Sequence, residues 1–434
     1  MKNKKIKLLF FGDSPVHCNT GFSTVSKNIL RRLDETGDYD ITVIGINFFG
    51  NPHNSNYKIY PAAYNSQGDV YGRQRLLDIL RDKKQEFDIV FTLQDTFIMA
   101  TIGEAIKKLR DGFIYEKEIV DEKTGEKTKK KVFQKGRGFK WIYYYPIDST
   151  PEKEWIEKSV AYADVAVPYT QYARKESEKI VKRKYEVIYH GFDQKTFFPM
   201  EEKEKAEFKE KFFKENRLDN CYLLVNVNRN QFRKGMLQTM LAFKIFNKII
   251  PNSVLYTHCD LYDQAGYNLM KIAQKLGVSD NWLYPNPDTY KKGIKFPDSF
   301  INGLYNIADA NISTTLGEGF GLSMLESMAT KTVNIFPDNT AISEILADGR
   351  GILVKSGNNP NNIMTNGPID NDQIRPTVDV MDMVNKLVWA YSHPQAVKEI
   401  EEKAYDWAIK NIDWNTLSKK WDKLIKETIK WQKK

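Results

Sequence analysis

Cysteine is scarce in this chain. Cys18, Cys221 and Cys259 are the three that occur, and they lie far apart. They offer no disulfide framework and no zinc-ligand spacing, so a reducing, cytoplasmic setting is the expectation. Long apolar runs are missing too, and none approaches the ~18 residues that a membrane span requires. The opening MKNKKIKLLFFGDSP has a basic end, but its apolar run is shorter than a secretory core and no small-residue cleavage site follows. Ile6 to Phe11 therefore reads as a buried first strand. The five histidines form no metal-binding constellation. The one Asp-x-Asp string, Asp370-Asn371-Asp372, lies in GNNPNNIMTNGPIDND and reads as loop, so no metal is expected. Arginine is scarce beside lysine, 14 against 51 residues, and the formal charge is +9. A lysine-rich coding bias explains that charge as well as an anionic partner does (nucleic acid, anionic lipid or acidic glycan).

What the chain does have is length and alternation. At 434 residues it exceeds one ordinary core and calls for at least two domains. IKLLFFG (6–12) reads as a strand, followed by the loop DSPVHCNTGF. STVSKNILRRLDETG carries Val25, Ile29, Leu30 and Leu33 at helical spacing. YDITVIGINFF, FDIVFTLQD, WIYYYPID and DVAVPYT read as further strands with helical runs between them, ahead of the segment YEVIYHGFD (185–193). Such units predict a parallel sheet covered on both faces. Residues 115–140 interrupt the rhythm with the look of a β-hairpin, its turn near Thr124-Gly125. This insertion carries nine Lys/Arg against five Asp/Glu. It reads either as a solvated excursion or as an arm facing the acceptor.

A Lys/Glu-rich helix from Glu201 opens a second αβ series, with strands in CYLLVNVNRN, SVLYTHCD, DANISTT, TVNIFPD and GILVK. The expected organisation is an α/β chain of two Rossmann-like, doubly wound parallel-sheet domains facing across a cleft. Residues 1–198 form the first domain and 199–400 the second. Trp-bearing helices over 401–434 pack back on the first. Trp407, Trp414, Trp421 and Trp431 read as packing residues, as do His190, His258 and Cys259. Ligands in such sheets bind beyond the strand carboxyl ends.

LGEGFGLSMLESMA (316–329) falls at such an end. Gly317, Gly319 and Gly321 let backbone approach a ligand. A helix begins near Leu322, and its N-terminus favours a phosphate. Glu318 reaches into the cleft. Glu326, about one turn inside the helix, is placed to accept two hydroxyls, as from a ribose. Arg229 and Lys234 in VNVNRNQFRKG supply cations for a diphosphate at another strand end.

These stretches together resemble family 4 of the retaining glycosyltransferases, which have the two-domain GT-B fold and an E-x7-E motif. The resemblance spans nearly the whole chain: GDSPVHCNTGFSTVSKNIL, YYPIDSTPEKEWI, YHGFDQKTFFP, NRNQFRKG, NIADANISTTLGEGFGLSMLESMA and FPDNTAISEIL, in that order. It implies that Glu318 contacts the donor sugar and Glu326 the nucleotide ribose. Arg229 and Lys234 would hold the diphosphate. The backbone of Gly319, Phe320, Gly321 and Leu322 would turn over phosphates and sugar, and Gly21 would let the first domain close on the donor. The family often has two glycines in that first loop, where this chain reads Thr20-Gly21-Phe22. A first-domain histidine near the sugar is not evident. Asp148 stands at a similar strand end, with a helix N-cap before TPEKEWI as its other reading. The Lys-Gly-Gly start of glycogen synthases is absent.

The implied function is retaining transfer of a sugar, hexose-like, from a UDP- or GDP-linked donor such as UDP-glucose to a hydroxyl acceptor, without metal. The donor is a co-substrate, and no other cofactor is implied. The acceptor is a glycan or lipid-linked glycan, or a modified DNA base that would draw on the net charge. The competing expectations are a sugar-nucleotide epimerase or hydrolase on the same fold, and a non-catalytic nucleotide-sugar or nucleic-acid-binding protein.

Overall fold

Leu8, Leu9, Phe10 and Phe11 are consecutive and all fully buried. A strand apolar on both faces has to be covered on both, as in a parallel sheet between helices. The computed structural model describes residues 4–64, 68–120, 127–291 and 296–430. It runs through β1 (Ile6–Asp13), α1 (Gly21–Glu35), β2 (Tyr39–Ile46), β3 (Lys58–Pro61), α2 (Arg73–Arg81), β4 (Ile89–Leu93), α3 (Thr96–Ala100) and α4 (Gly103–Asp111). It continues with β5 (Gly112–Val120), β6 (Lys127–Lys135), β7 (Lys140–Tyr145), α5 (Lys153–Glu157), β8 (Val165–Pro168) and α6 (Gln171–Ile180). Six of these strands form one parallel sheet in the order β3-β2-β1-β4-β7-β8. The edge strand β3 has no counterpart in the sequence reading. It is short and half-exposed, and it ends on Pro61, which an edge tolerates.

The second series is α7 (Glu202–Asn216), β9 (Tyr222–Val227), α8 (Met236–Ile249), β10 (Ser253–His258), α9 (Leu269–Leu276), β11 (Trp282–Leu283), α10 (Pro287–Lys291) and α11 (Asp298–Ile307). After it come β12 (Ala310–Ile312), α12 (Leu322–Ala329), β13 (Asn334–Pro337), α13 (Thr340–Ile345), β14 (Ile352–Val354), β15 (Ile363–Thr365), β16 (Ile374–Pro376) and α14 (Val380–Ser392). The second parallel sheet has the order β11-β10-β9-β12-β13-β14. The two doubly wound sheets face each other across a cleft, as expected.

Of the two last helices, α15 (Pro394–Asn411) packs on the second domain beside α12, where Lys331 donates to Glu402 at 2.6 Å and Val333 N–H to Glu401 at 3.2 Å, and α16 (Trp414–Lys430) returns to the first sheet. Tyr39 Oη donates to Asp422 at 2.6 Å, and Arg32 Nε to Asn415 at 3.1 Å. Trp414 and Trp421 are fully buried. The Trp421 ring lies 4.9 Å from Phe91 and 4.7 Å from Tyr144, both on first-sheet strands. Trp421→Ala is therefore expected to cost about 3–5 kcal/mol of stability, read as a lower denaturant midpoint. Trp431 lies outside the described residues.

Strands β5 and β6 pair antiparallel over their full length. The expected hairpin is thus present, beginning at Gly112, while its turn near Thr124-Gly125 lies outside the described residues. Its place corrects the reading of an acceptor-facing arm. The hairpin leads directly into the amino end of β7, whereas the cleft is built at the strand carboxyl ends. Ile114 and Phe133 pair across it and are 67% and 61% exposed. Among the described residues, no helix is long and apolar enough to cross a membrane.

Candidate active site

β9 and β12 are neighbours in the second sheet, so the loops leaving their carboxyl ends must touch. One loop carries cations and the other carries Glu318. Leu316 N–H donates to the Arg233 carbonyl at 2.8 Å. A Cβ on Gly235 would fall 2.2 Å from the Thr314 carbonyl oxygen, and its φ is +64°, so glycine is required for this approach. The contact delivers Lys234 Nζ to Glu318 Oε1 at 2.5 Å. Arg233 Nη1 lies 3.8 Å from the other Glu318 oxygen and donates to the Gly317 carbonyl at 2.8 Å.

Glu318 is almost fully buried. Burial pushes its carboxyl up, but Lys234 and then Arg233 outweigh that and hold it below the usual range. Burial pulls Lys234 down against the opposing pull of Glu318.

α12 begins as expected at Leu322, packing Met324, Leu325 and Met328 inward. Its N-cap, Gly321, has φ +95° and supplies no capping side chain, so the N-cap itself leaves the first N–H groups of the helix unsatisfied. Glu326 is half-buried on the next turn and accepts from Tyr305 Oη at 3.3 Å. Phe320 is turned inward against His190, with ring centroids 4.8 Å apart. His190 is buried beside Tyr144 and pulled down to about 3, so it is neutral packing, as expected.

The first domain closes on this loop from the opposite side. Glycines 317 and 319 were expected to admit a ligand, yet their closest neighbours belong to the first domain. A Cβ on Gly317 would lie 2.1 Å from the Asp148 carbonyl oxygen, and one on Gly319 2.6 Å from Pro146 Cβ. Gly21 is the first residue of α1 rather than a loop residue, and a Cβ there would meet Leu322 Cδ1 at 3.3 Å. Asp148 is not a helix cap, because α5 is capped at Glu152. Its carboxylate instead faces Arg233 at 3.6 Å and Arg375 at 3.3 Å. Burial pushes it up, but Arg375 and then Arg233 hold it below the ordinary value.

The structure thus brings together Glu318, Lys234 and Asp148. Arg229 is set apart, 61% exposed and paired with Asp263 at 3.2 Å. Four further groups, not among the residues expected from the sequence, join the site or its seam. Arg233 joins the two loops. Arg375 crosses from the β15–β16 excursion, where Asp370 holds its Nε at 2.5 Å, so the Asp370 string has a partner rather than being plain loop. Glu344 of α13 accepts from the N–H groups of Gln171 and Tyr172 at 3.0 and 2.8 Å, capping α6 across the seam. Asp95 ends β4. It stands at the N-cap of α3 without capping it, and it is pushed up to about 7 by burial, then by Asp148.

Residues 207–364 match the family model described as glycosyl transferases group 1. A curated relative, the putative glycosyltransferase EpsD of Bacillus subtilis (strain 168), is 28% identical over 232 residues, covering 52% of this chain. The match spans about half of that protein's length, 54%. Among solved structures, sucrose-phosphate synthase from Thermosynechococcus elongatus aligns with a TM-score of 0.71 at 12% identity, covering 98% of this chain and 99% of its own. A glycosyltransferase from Rickettsia africae ESF-5 aligns with a TM-score of 0.66 at 16% identity, over 98% and 99%. Anabaena HepE, solved in complex with UDP-glucose, gives 0.66 at 13%, again over 98% and 99%. At these identities the structures establish the shared fold, two Rossmann-like domains around a cleft, and the matched segment, which holds Lys234, Glu318 and α12, carries the similarity to group 1 glycosyl transferases.

Proposed function

We propose that the chain is a retaining, metal-independent glycosyltransferase of the family 4 kind. It moves a sugar from a nucleotide-diphosphate donor to a hydroxyl on a glycan or lipid-linked glycan. The observation that carries this reading is the buried Glu318–Lys234–Arg233 cluster before the start of α12, closed by Asp148. Breaking the anomeric bond puts negative charge on the leaving phosphate. Lys234 and the helix start are fixed beforehand where that charge grows, with the more loosely held Arg233 beside them and Arg229 at the mouth. Glu318 orients a sugar hydroxyl, and Glu326 takes the ribose diol. The acceptor hydroxyl enters beside the first-domain strand ends and passes its proton to the leaving phosphate.

The test is a melting series with UDP, GDP, ADP, CDP and TDP, followed by product anomer analysis with the stabilising nucleotide's sugars. One diphosphate is expected to raise the melting temperature by binding the folded state. Stabilisation by none, or an inverted anomer, overturns the reading.

Asp95 is the acceptor-side group of this scheme. An acid raised to about 7 is still partly protonated at neutral pH. If its carboxylate orients the acceptor hydroxyl by accepting a hydrogen bond while the proton passes to the leaving phosphate, kcat/KM for the acceptor rises with pH through about 7. Asp95→Asn is expected to remove that limb of the profile. An unchanged limb assigns it to another group.

A further inference from the structure

We infer that Arg375 is a positioning residue that holds Asp148 off Arg233 and so keeps Arg233 available to the donor's diphosphate. The inference rests on the donor reading above. Its basis is the way two guanidinium groups of the second domain share one first-domain carboxylate.

Arg375 is nearly fully buried and fixed on two sides. Asp370 takes its Nε at 2.5 Å and its Nη2 at 2.8 Å. Nη1 donates to the Asp148 main-chain oxygen at 2.7 Å, and Nη2 to Asp148 Oδ1 at 3.3 Å. The excursion that carries it is pinned nearby. Ser149 Oγ donates to Gln373 Oε1 at 3.0 Å, and Gln373 Nε2 to Glu152 at 3.3 Å.

Arg233 is held differently. Its side chain is 26% exposed, and its only hydrogen bond among the described residues runs from Nη1 to the Gly317 carbonyl. Asp148 Oδ2 stands 3.6 Å away, outside hydrogen-bond range but close enough to attract. A carboxylate and a guanidinium pair best as a two-bond fork, and that fork would occupy the donors a phosphate needs. Arg375 prevents it by holding Oδ1 and the main chain of Asp148. Without Arg375, a half-buried carboxylate left with Arg233 as its foremost cation, Lys234 acting on it less, closes on Arg233 and becomes an internal competitor of the diphosphate.

The experiment measures UDP affinity by calorimetry in the full chain, or that of whichever diphosphate stabilises the wild type. The variants are Arg375→Ala, Asp148→Asn and the double variant. Arg375→Ala is expected to weaken binding about 10-fold or more, equivalent to losing about 1.4 kcal/mol of binding free energy. Asp148→Asn, with no competitor left, binds clearly more tightly than Arg375→Ala, and the double variant binds like Asp148→Asn. A clasp that merely orders the excursion gives no such rescue, so a double variant as weak as Arg375→Ala overturns the inference. Wild-type affinity in Arg375→Ala overturns it as well. Arg375→Gln, which preserves bulk and one donor, is read the same way if the alanine variant does not fold. A wild type that binds no nucleotide overturns the donor reading itself, and this inference with it.

Discussion

Lys234→Ala is expected to lower kcat by about 10²–10³-fold, the loss typical of removing one preorganised group that meets developing charge. Lys234 is the cation most deeply set against Glu318, and Arg233 is too loosely held to replace it. The same change leaves Glu318 with Arg233 at 3.8 Å as its remaining cation and no direct hydrogen bond from it, which costs up to about 3–5 kcal/mol of stability. Low activity alone would therefore not separate chemistry from unfolding. Lys234→Met combined with Glu318→Gln removes both charges, and it is expected to recover most of the melting temperature and none of the transfer. Recovery of transfer along with stability would mean that the pair is structural.

Gly317→Ala is expected to lower kcat/KM for transfer by about 10²-fold while leaving nucleotide affinity within a few-fold of wild type. The methyl group would sit 2.1 Å from the Asp148 carbonyl oxygen, a distance no real Cβ tolerates. Lys234, Glu318 and Glu326 all belong to the second domain and stay in place. What gives way is the seam, so the first domain stands back by the fraction of an ångström that separates a reacting geometry from a merely bound one. Equal losses in nucleotide affinity and in transfer would show that the loop, rather than the closure, had been damaged.

Both predictions start from residues legible in the sequence, because their signals are local. Glu318, Gly321 and the helix start at Leu322 lie in one short stretch whose glycines and apolar spacing give the turn and the helix together. Lys234 is legible because it follows a strand directly. Arg233, its neighbour, was just as visible but was passed over, since nothing local says which of three nearby cations faces inward. Side-chain direction there is decided by the packing of Gly235 on Thr314. Arg375 has no local signal at all. Its partner Asp148 is 227 positions away, and only the seam joins them. Glu344 at the start of α6 is the same case. The close approach of Gly317 to Asp148 was likewise invisible, because a glycine declares only that space is short and not what fills it. The hairpin was legible as a hairpin, but its location follows from the order of strands, which composition does not carry.

That location separates two kinds of freedom in one sheet. In the proposed scheme the carboxyl edge of the first sheet, which bears Asp95 and Asp148, has to hold both to within the tolerance of a reaction. The amino edge, where Lys135 hands over to β7, bears no such demand. Shortening, lengthening or recharging the ribbon there is expected to leave the cleft residues where they are. It is a natural handle, by which the molecule can be held at one end while it works at the other.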